Sequence, residues 1–283
     1  MIDSIKYNLA RLIKNDKLYD SIRYFLKFRK FLDLKNPTTF NEKIIWKKLN
    51  DNVKLYSDVA DKVKVREYVQ SKNQEVSLSN IYYITDNPDS IDFDVLPNQF
   101  VVKASHGSGW VEIVRDKNKL NINKILKKCN SWLSRNYYYL GREMVYKDIK
   151  PNIIIEELLI DEDNNVPMDI KCFCFNGKVE FIQLDIDRYK EHKRVLLDAN
   201  WNVLPFSYHY PPYKGNIERN KYLPEIIEIS ESLSSEFDFI RVDLYLVDNK
   251  VYFGELTNYP GCGFEKFNPK IYDEKFGKLI TTV

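Results

Sequence analysis

The chain predicts an α+β fold with mostly antiparallel sheets and a helical N-terminal third. Three observations carry this. Apolar residues recur at helical spacing up to about residue 72. From Phe100 onward, short apolar or alternating runs succeed one another with turn residues between them. Two helical segments, about 119–135 and 222–236, interrupt those runs.

Composition sets the bounds. The chain has 283 residues, 44% of them hydrophobic and 30% charged, which is enough to bury a large core. Lys and Arg (43) nearly cancel Asp and Glu (41), so bulk charge gives no argument for nucleic acid. The 20 Tyr and 16 Phe read first as core, and second as sugar-stacking surface. Four cysteines lack metal-ligand spacing and read as free thiols in a reducing compartment. No stretch approaches a spanning helix, and the N-terminus lacks a secretory h-region. The expected location is the cytoplasm, with the inner face of the membrane as a variant of it.

Residues 1 to about 35 read as helix, with Ile5, Leu9, Leu12 and Ile13 in period and "YDSIRYFLKFRKFLDL" continuing it. This arm is basic and amphipathic. Its plain reading is a solvated charged face, and its sharper one is a surface that touches a membrane-bound substrate or an anionic polymer, with peripheral membrane association. Pro37 then breaks the chain, and Thr39 with Glu42 matches a capping box opening the next helix. "DVADKVKVREYVQSK" reads as a further helix with Val63, Val65 and Val69 inward. "IYYIT" reads as a strand before turns at Asn87-Pro88 and Pro97-Asn98. The strands that follow are "FVVKAS", "WVEIVR", "NIIIEELLI", "DIKCFCF", "KVEFIQLDI", "KRVLLDANWNVL" and "FIRVDLYLVDNKVYFGEL", with "FNGKV", "DANWN" and "VDNKV" as hairpin turns. Residues 1–48 are taken as an N-terminal helical region, 49–98 as a linking segment and 99–283 as the main domain.

Several residues carry chemistry. In "VVKASHGSGW", Lys103 ends a strand and Gly107 and Gly109 follow in a turn. A cation and backbone N–H groups there can surround an anion, although Walker spacing is absent. Asp243 and Glu255 lie on two runs that pair through Asp248-Asn249, among apolar neighbours. Buried carboxylates are costly unless paired or metal-bound, and two of them with nucleotide phosphates suit Mg²⁺. Arg241, two residues before Asp243, shares its strand face. The bland alternative is a buried Arg–Asp–Glu cluster. Glu156 and Glu157 end a triple-isoleucine strand. Asp169 and Lys171 share a face, and Asp185, Asp187, Arg188, Lys193 and Arg194 follow as strand-edge charges.

In order, "DKVKVR", Lys103 with its glycine loop, "EEL", "RVD" and "GELTNYPG" resemble the ATP-grasp superfamily. More narrowly, "NPTTFNEKIIWKKLN", "KASHGSGW", "NYYYLGREMVYKDIKP" and "PGCGFEKFNP" resemble the TupA-like ATP-grasp family, associated with teichuronopeptide and capsular polysaccharide biosynthesis. The resemblance implies an ATP-grasp fold, two α+β subdomains clamping ATP behind a helical N-terminal region. It implies that Lys62 or Lys64 and Lys103 hold phosphates, with Ser105, His106, Gly107, Ser108 and Gly109 as the covering loop. His106 can instead cap the turn. Glu156, Glu157 and Leu158 would form the adenine and ribose hinge, with Lys171 beside the nucleotide. Asp243 and Glu255 would ligate Mg²⁺, and Asn258 is carried as third ligand. The superfamily's metal-binding Asn position falls on Thr257, one residue earlier, so Asn258 needs a bulge to turn inward. Arg241, Lys103 and Arg194 are the candidate catalytic cations.

The implied activity is an ATP-dependent carboxylate–amine ligase working through an acyl phosphate. Its partners would be small-molecule or glycan-linked carboxylates and amines, and its cofactors ATP and Mg²⁺. Two other classes remain. One is a glycosyltransferase using "DID" at Asp185–Asp187 for a nucleotide sugar, and the other a non-catalytic carbohydrate-binding protein.

Overall fold

The computed structural model describes residues 7, 8, 10–51, 53–186 and 191–281. Asp187 and Arg188, and with them the second half of "DID", lie outside the described residues, as do Ile5 and Leu9.

The N-terminal periodicity is not one helix. It breaks at residues 13–15, where the Asn15 side chain accepts the Leu18 N–H and restarts the chain as α1 (Asp16–Phe28). α1 stops at Arg29, whose φ of 57° is left-handed, short of the expected 35. α2 (Phe40–Asn50) opens on the predicted capping box of Thr39 and Glu42. The next predicted helix is split into α3 (Lys54–Ala60) and α4 (Val65–Lys72). The cause is Asp61, whose carboxylate takes the Val63 N–H at 2.9 Å and whose carbonyl takes the Val65 N–H at 2.9 Å.

A small antiparallel sheet is built from β1 (Ile81–Thr85), β2 (Phe100–Ala104), β3 (Val111–Val114) and β4 (Ile153–Glu156), in the order β1-β4-β2-β3. Phe100, Val102, Ile153 and Ile155 face α5 (Ile122–Leu133), which buries Ile125 and Cys129 against them. Alternation puts Lys103, Ile154 and Glu156 on the opposite face, with Lys103 directly across from Ile154.

A larger antiparallel sheet holds β5 (Ile170–Phe175), β6 (Lys178–Ile186), β7 (Lys193–Leu197), β9 (Phe239–Val247) and β10 (Lys250–Thr257), ordered β10-β9-β5-β6-β7. A short pair, β8 (Ser207–Tyr208) with β11 (Phe267–Asn268), sits beside it. The hairpin turns predicted at Asn176-Gly177 and Asp248-Asn249 have positive φ throughout (48° and 74°, 49° and 61°), the backbone of a type I′ turn. One face of this sheet carries Cys172, Cys174, Ile182, Ile240 and Val242, packed under α6 (Leu223–Ser234). The other face divides. Phe173, Phe175, Phe181 and Phe239 make an aromatic block against Phe40 of α2 and Phe276 of α7 (Ile271–Gly277). Beyond it, on the same strands, the side chains become charged.

Candidate nucleotide and metal site

The charged band follows from strand alternation. Lys171 is two residues from Phe173, Arg241 two from Phe239, and Gln183 and Asp185 two and four from Phe181, so all share the aromatic face. Register lines them up: Glu255 opposite Asp243, Asp243 opposite Lys171, Lys171 opposite Gln183, and Asp185 opposite Arg194.

Glu255 reaches this face only through a bulge. Val251 and Phe253 point into the core, and unbroken alternation would send residue 255 after them. The β9–β10 register shifts between Phe253 and Glu255, at Gly254. A Cβ at Gly254 would come within 2.9 Å of the Asp243 carbonyl oxygen and 2.8 Å of the Tyr245 ring. Beyond the bulge Leu256 returns to the core, and Glu255 and Thr257 face Asp243 and Arg241.

Arg241 organises the cluster. Its Nε donates to Asp243 Oδ1 (2.6 Å) and its Nη2 to Asp243 Oδ2 (2.7 Å), Glu255 Oε1 (3.1 Å) and Thr257 Oγ1 (3.0 Å). Lys171 adds a bond to Asp243 Oδ2 at 3.1 Å and a pair with Asp169 at 3.1 Å. Burial pushes the Asp243 carboxyl up, against the pull of Arg241 and Lys171. Burial acts the same way on Glu255, but there Arg241, Lys62 and Lys171 prevail and hold it down at about 2. Burial disfavours the Arg241 cation, yet Asp243 and Glu255 raise its pKa well above the ordinary value. Arg241 and Lys171, with Lys62 near Glu255, thus stand among Asp169, Asp243 and Glu255, and cations positioned in this way can receive phosphate oxygens.

A second group closes over the first. Lys103 pairs with Glu156 across β2 and β4, and Ser79 donates to the other Glu156 oxygen at 3.2 Å. The Asp61 turn holds Lys62 by its N–H to the Ser105 carbonyl (3.2 Å) and aims its Nζ at the Gly107 carbonyl. Burial lowers the Lys62 pKa, while Glu255 and Glu156 oppose this and Lys103 adds to it. Lys62 therefore stands between the Lys103–Glu156 pair and Glu255, where the two sheets face each other. Lys64, the other candidate, turns out to solvent and pairs with Asp58 at 2.9 Å.

The loop residues divide by role. Ser105 is fully buried and staples the loop to the chain before β4: its Oγ accepts the Asn152 N–H at 3.1 Å, and its own N–H donates to the Asn152 carbonyl. His106 is turned inward, Nε2 donating to the Trp132 carbonyl at 3.1 Å, with its ring edge-on to Trp110. Burial lowers its pKa, and its bond goes not to its own turn but to the last turn of α5, which the neutral ring caps. A Cβ at Gly107 would meet Tyr137 at 2.8 Å and Trp110 at 2.9 Å, so only glycine lets the loop lie this close to the aromatic wall. Gly109 has φ of 71° with open space around it, and Ser108 lies between them within hydrogen-bonding reach of Tyr137. Glu157 is tied to Asn80, accepting from its N–H (3.0 Å) and side-chain amide (2.9 Å), and Leu158 is buried.

Two residues change position relative to expectation. Asn258 does not join the carboxylates: its Nδ2 donates to the Tyr56 carbonyl at 3.0 Å, on the opposite side from Thr257. Thr257, whose hydroxyl donates to Glu255 Oε1 at 2.9 Å, takes that place. Arg194 lies at the far end of the band, bonded to Asp185 (2.6 Å), the Tyr208 carbonyl (3.0 Å) and Glu265 (3.2 Å). Glu265 was missed in the sequence, since only the chain reversal through Pro260–Gly263 carries it there.

The donor set fits a hard divalent cation. It consists of oxygens alone, and the Glu255 side chain is 42% exposed toward the opening while Asp243 is sealed behind Arg241 and Lys171. Asp243, Glu255 and Thr257 would hold Mg²⁺. Among the described residues no group of three or more His, Cys, Asp or Glu forms a metal cluster, so nucleotide oxygens and water would complete the coordination.

Comparison with solved structures finds D-alanine–D-alanine ligase from Bacillus anthracis, 17% identical over 78% of this chain and 66% of that one, with TM-score 0.49. It also finds an N5-carboxyaminoimidazole ribonucleotide synthetase in its ADP complex (11%, 73% and 46%, TM-score 0.46). The ATP-grasp ligase PsnB with a minimal precursor is a third (11%, 77% and 60%, TM-score 0.44). This chain spans under two thirds of the length of each. A comparison with curated protein sequences finds no match. The TupA-like ATP-grasp family model matches residues 42–281, nearly the whole chain, and the band of cations and carboxylates between its two sheets lies within that match. The protein is a member of the TupA-like ATP-grasp family and has the α+β ATP-grasp fold.

Proposed function

We propose that the protein is an ATP-dependent carboxylate–amine ligase. The observation that carries this reading is the Arg241–Asp243–Glu255 cluster facing Lys62 and Lys103 across the space between the sheets. A substrate carboxylate oxygen attacks the γ-phosphorus of ATP, the bond to the β–γ bridging oxygen breaks, and ADP leaves. An amine then attacks the acyl carbonyl and expels phosphate, giving the amide and releasing one proton. Lys62 and Lys103 would bind the phosphate chain, and Arg241 would neutralise charge on the transferred group and the acyl phosphate. Lys171 would hold Asp243 ionised beside it. Bound Mg²⁺ would offset phosphate charge at Asp243 and Glu255.

The substrates would be a sugar acid or amino acid and an amine destined for a cell-surface polysaccharide, with the reaction run in the cytoplasm. No helix among the described residues is long and apolar enough to cross a membrane. The glycosyltransferase reading gains nothing: Asp185 is already engaged by Arg194, His192 (2.9 Å) and Gln183 (3.1 Å).

The test is ADP release from ATP and Mg²⁺ with a panel of sugar acids, amino acids and amines. Asp243→Asn and Glu255→Gln are each expected to cut the rate by about 10²–10³-fold. Thermal stabilisation by UDP-sugars but not by ATP would overturn the reading.

A further inference from the structure

α1 is inverted relative to an ordinary amphipathic helix. Its inward face carries Asp20 and Tyr24, with Asp20 in a fully buried ion pair with Lys48 at 3.0 Å. Its outward face, at the helical spacing 18, 22, 25 and 26, carries Leu18, Ile22, Phe25 and Leu26, all exposed, Leu26 at 60%. Phe31, 87% exposed, stacks on Phe25 and extends the apolar stripe past the helix end. An apolar patch on a charged helix marks an interaction surface.

Charge says what covers it. Residues 10–31 hold seven cations (Arg11, Lys14, Lys17, Arg23, Lys27, Arg29, Lys30) and two acids. Both acids are spent internally, Asp20 on Lys48 and Asp16 on Arg142 at 3.0 Å. Lys14, Lys17, Arg29 and Lys30 are exposed around the stripe. A second copy of the chain would bring this same basic rim against itself, which like-charge repulsion opposes. A surface that is apolar in the middle and anionic around it complements both features, as the headgroup region of an acidic bilayer does.

We propose that the outward face of α1 docks the protein on an anionic lipid bilayer, with α1 lying in the interface plane. Leu26 also lines a cavity of about 580 Å³ with Arg23, Lys27, His209, Phe264 and Glu265. Glu265 pairs with Arg194, so this cavity adjoins the end of the charged band farthest from Glu255. Docked on α1, the cavity opens at the bilayer surface, where a lipid-linked carboxylate or amine would be presented. That last step rests on the ligase reading, whereas the docking itself does not.

The experiment is co-sedimentation of the full chain, without nucleotide, with vesicles of phosphatidylcholine alone or with about one third phosphatidylglycerol. The chain should sediment with the mixed vesicles and stay in solution with the neutral ones. Leu18→Ser/Ile22→Ser/Phe31→Ser should weaken binding about tenfold or more without moving the melting temperature, because these side chains are already exposed. Lys17→Glu/Lys30→Glu should weaken it comparably and independently. The proposal is overturned if the parent chain ignores the mixed vesicles or both variants bind as it does. It is equally overturned if the triple variant dissociates a dimer and leaves vesicle binding intact. None of these outcomes depends on ATP turnover, so failure here leaves the ligase reading standing.

Discussion

Thr257 and Asn258 are neighbours with opposite work. Thr257 bonds both Arg241 and Glu255, while Asn258 bonds the Tyr56 carbonyl behind the sheet. Thr257→Ala is therefore expected to lower ADP formation with little change in stability. Asn258→Ala should cost about 1 kcal/mol of stability by removing its bond to that carbonyl, with turnover per folded molecule intact. Denaturant titration and ADP assays of the two variants separate these effects. A buried titratable group lies beside Lys48 and Cys262. Burial pushes the Glu143 carboxyl up to about 7, outweighing Lys48, the Cys262 thiol that donates to it at 3.3 Å, and Arg23. The unfolded chain ionises this group near 4.5. Between those values the folded chain holds the extra proton, so stability falls as pH rises through that window and levels off above about 7. The loss is on the order of 3 kcal/mol. Glu143→Gln should raise the melting temperature at pH ~8 and leave it nearly unchanged at pH ~4.5.

The Gly254 bulge sets the phase of β10 at the level of the element. The residue types Arg241, Asp243 and Glu255 announce a metal–phosphate cluster in the sequence. Simple alternation along "VYFGEL", however, sends Glu255 into the core with Val251 and Phe253. Only the register shift against β9 reverses it. Gly254→Ala would push a methyl group against the Asp243 backbone. It is expected to reduce ADP formation by an order of magnitude or more, although Gly254 touches no reacting group, and to cost about 1–3 kcal/mol of stability. Rates and denaturation midpoints measured together check this. The Asp61 turn is the same kind of device: it divides one predicted helix into α3 and α4 and aims Lys62 inward while leaving Lys64 in solvent.

Across the whole molecule, the N-terminal helix is held by buried charge. Lys48 and Asp20 are both inaccessible to water, and Lys48 also donates to the Gly141 carbonyl at 3.0 Å. Asp20→Ala leaves that ammonium without its counter-ion and is expected to cost about 3 kcal/mol, whereas Lys48→Met together with Asp20→Leu should recover much of it. Chemical denaturation of the single and double variants is the check. The same arrangement bears on the outward apolar stripe of α1: Asp20 is held inward by Lys48, a choice that periodicity by itself cannot reveal.

The sequence alone determined most of the strands and hairpins and the residue types at the site, but not where the N-terminal helices break. Turn chemistry, capping and alternation read correctly for the Thr39 cap, the hairpins at Asn176-Gly177 and Asp248-Asn249 and the strands bearing Lys103, Glu156 and Asp243, because these depend on neighbours within a few residues. Tertiary structure decided which candidates meet. It chose Lys62 over Lys64 and Thr257 over Asn258, buried His106 as a cap and brought Glu265 to Arg194. Those choices rest on the bulge at Gly254, the Asp61 turn and packing between elements far apart in the chain. A local pattern records which way a side chain alternates, while only the assembled sheets determine what stands opposite it.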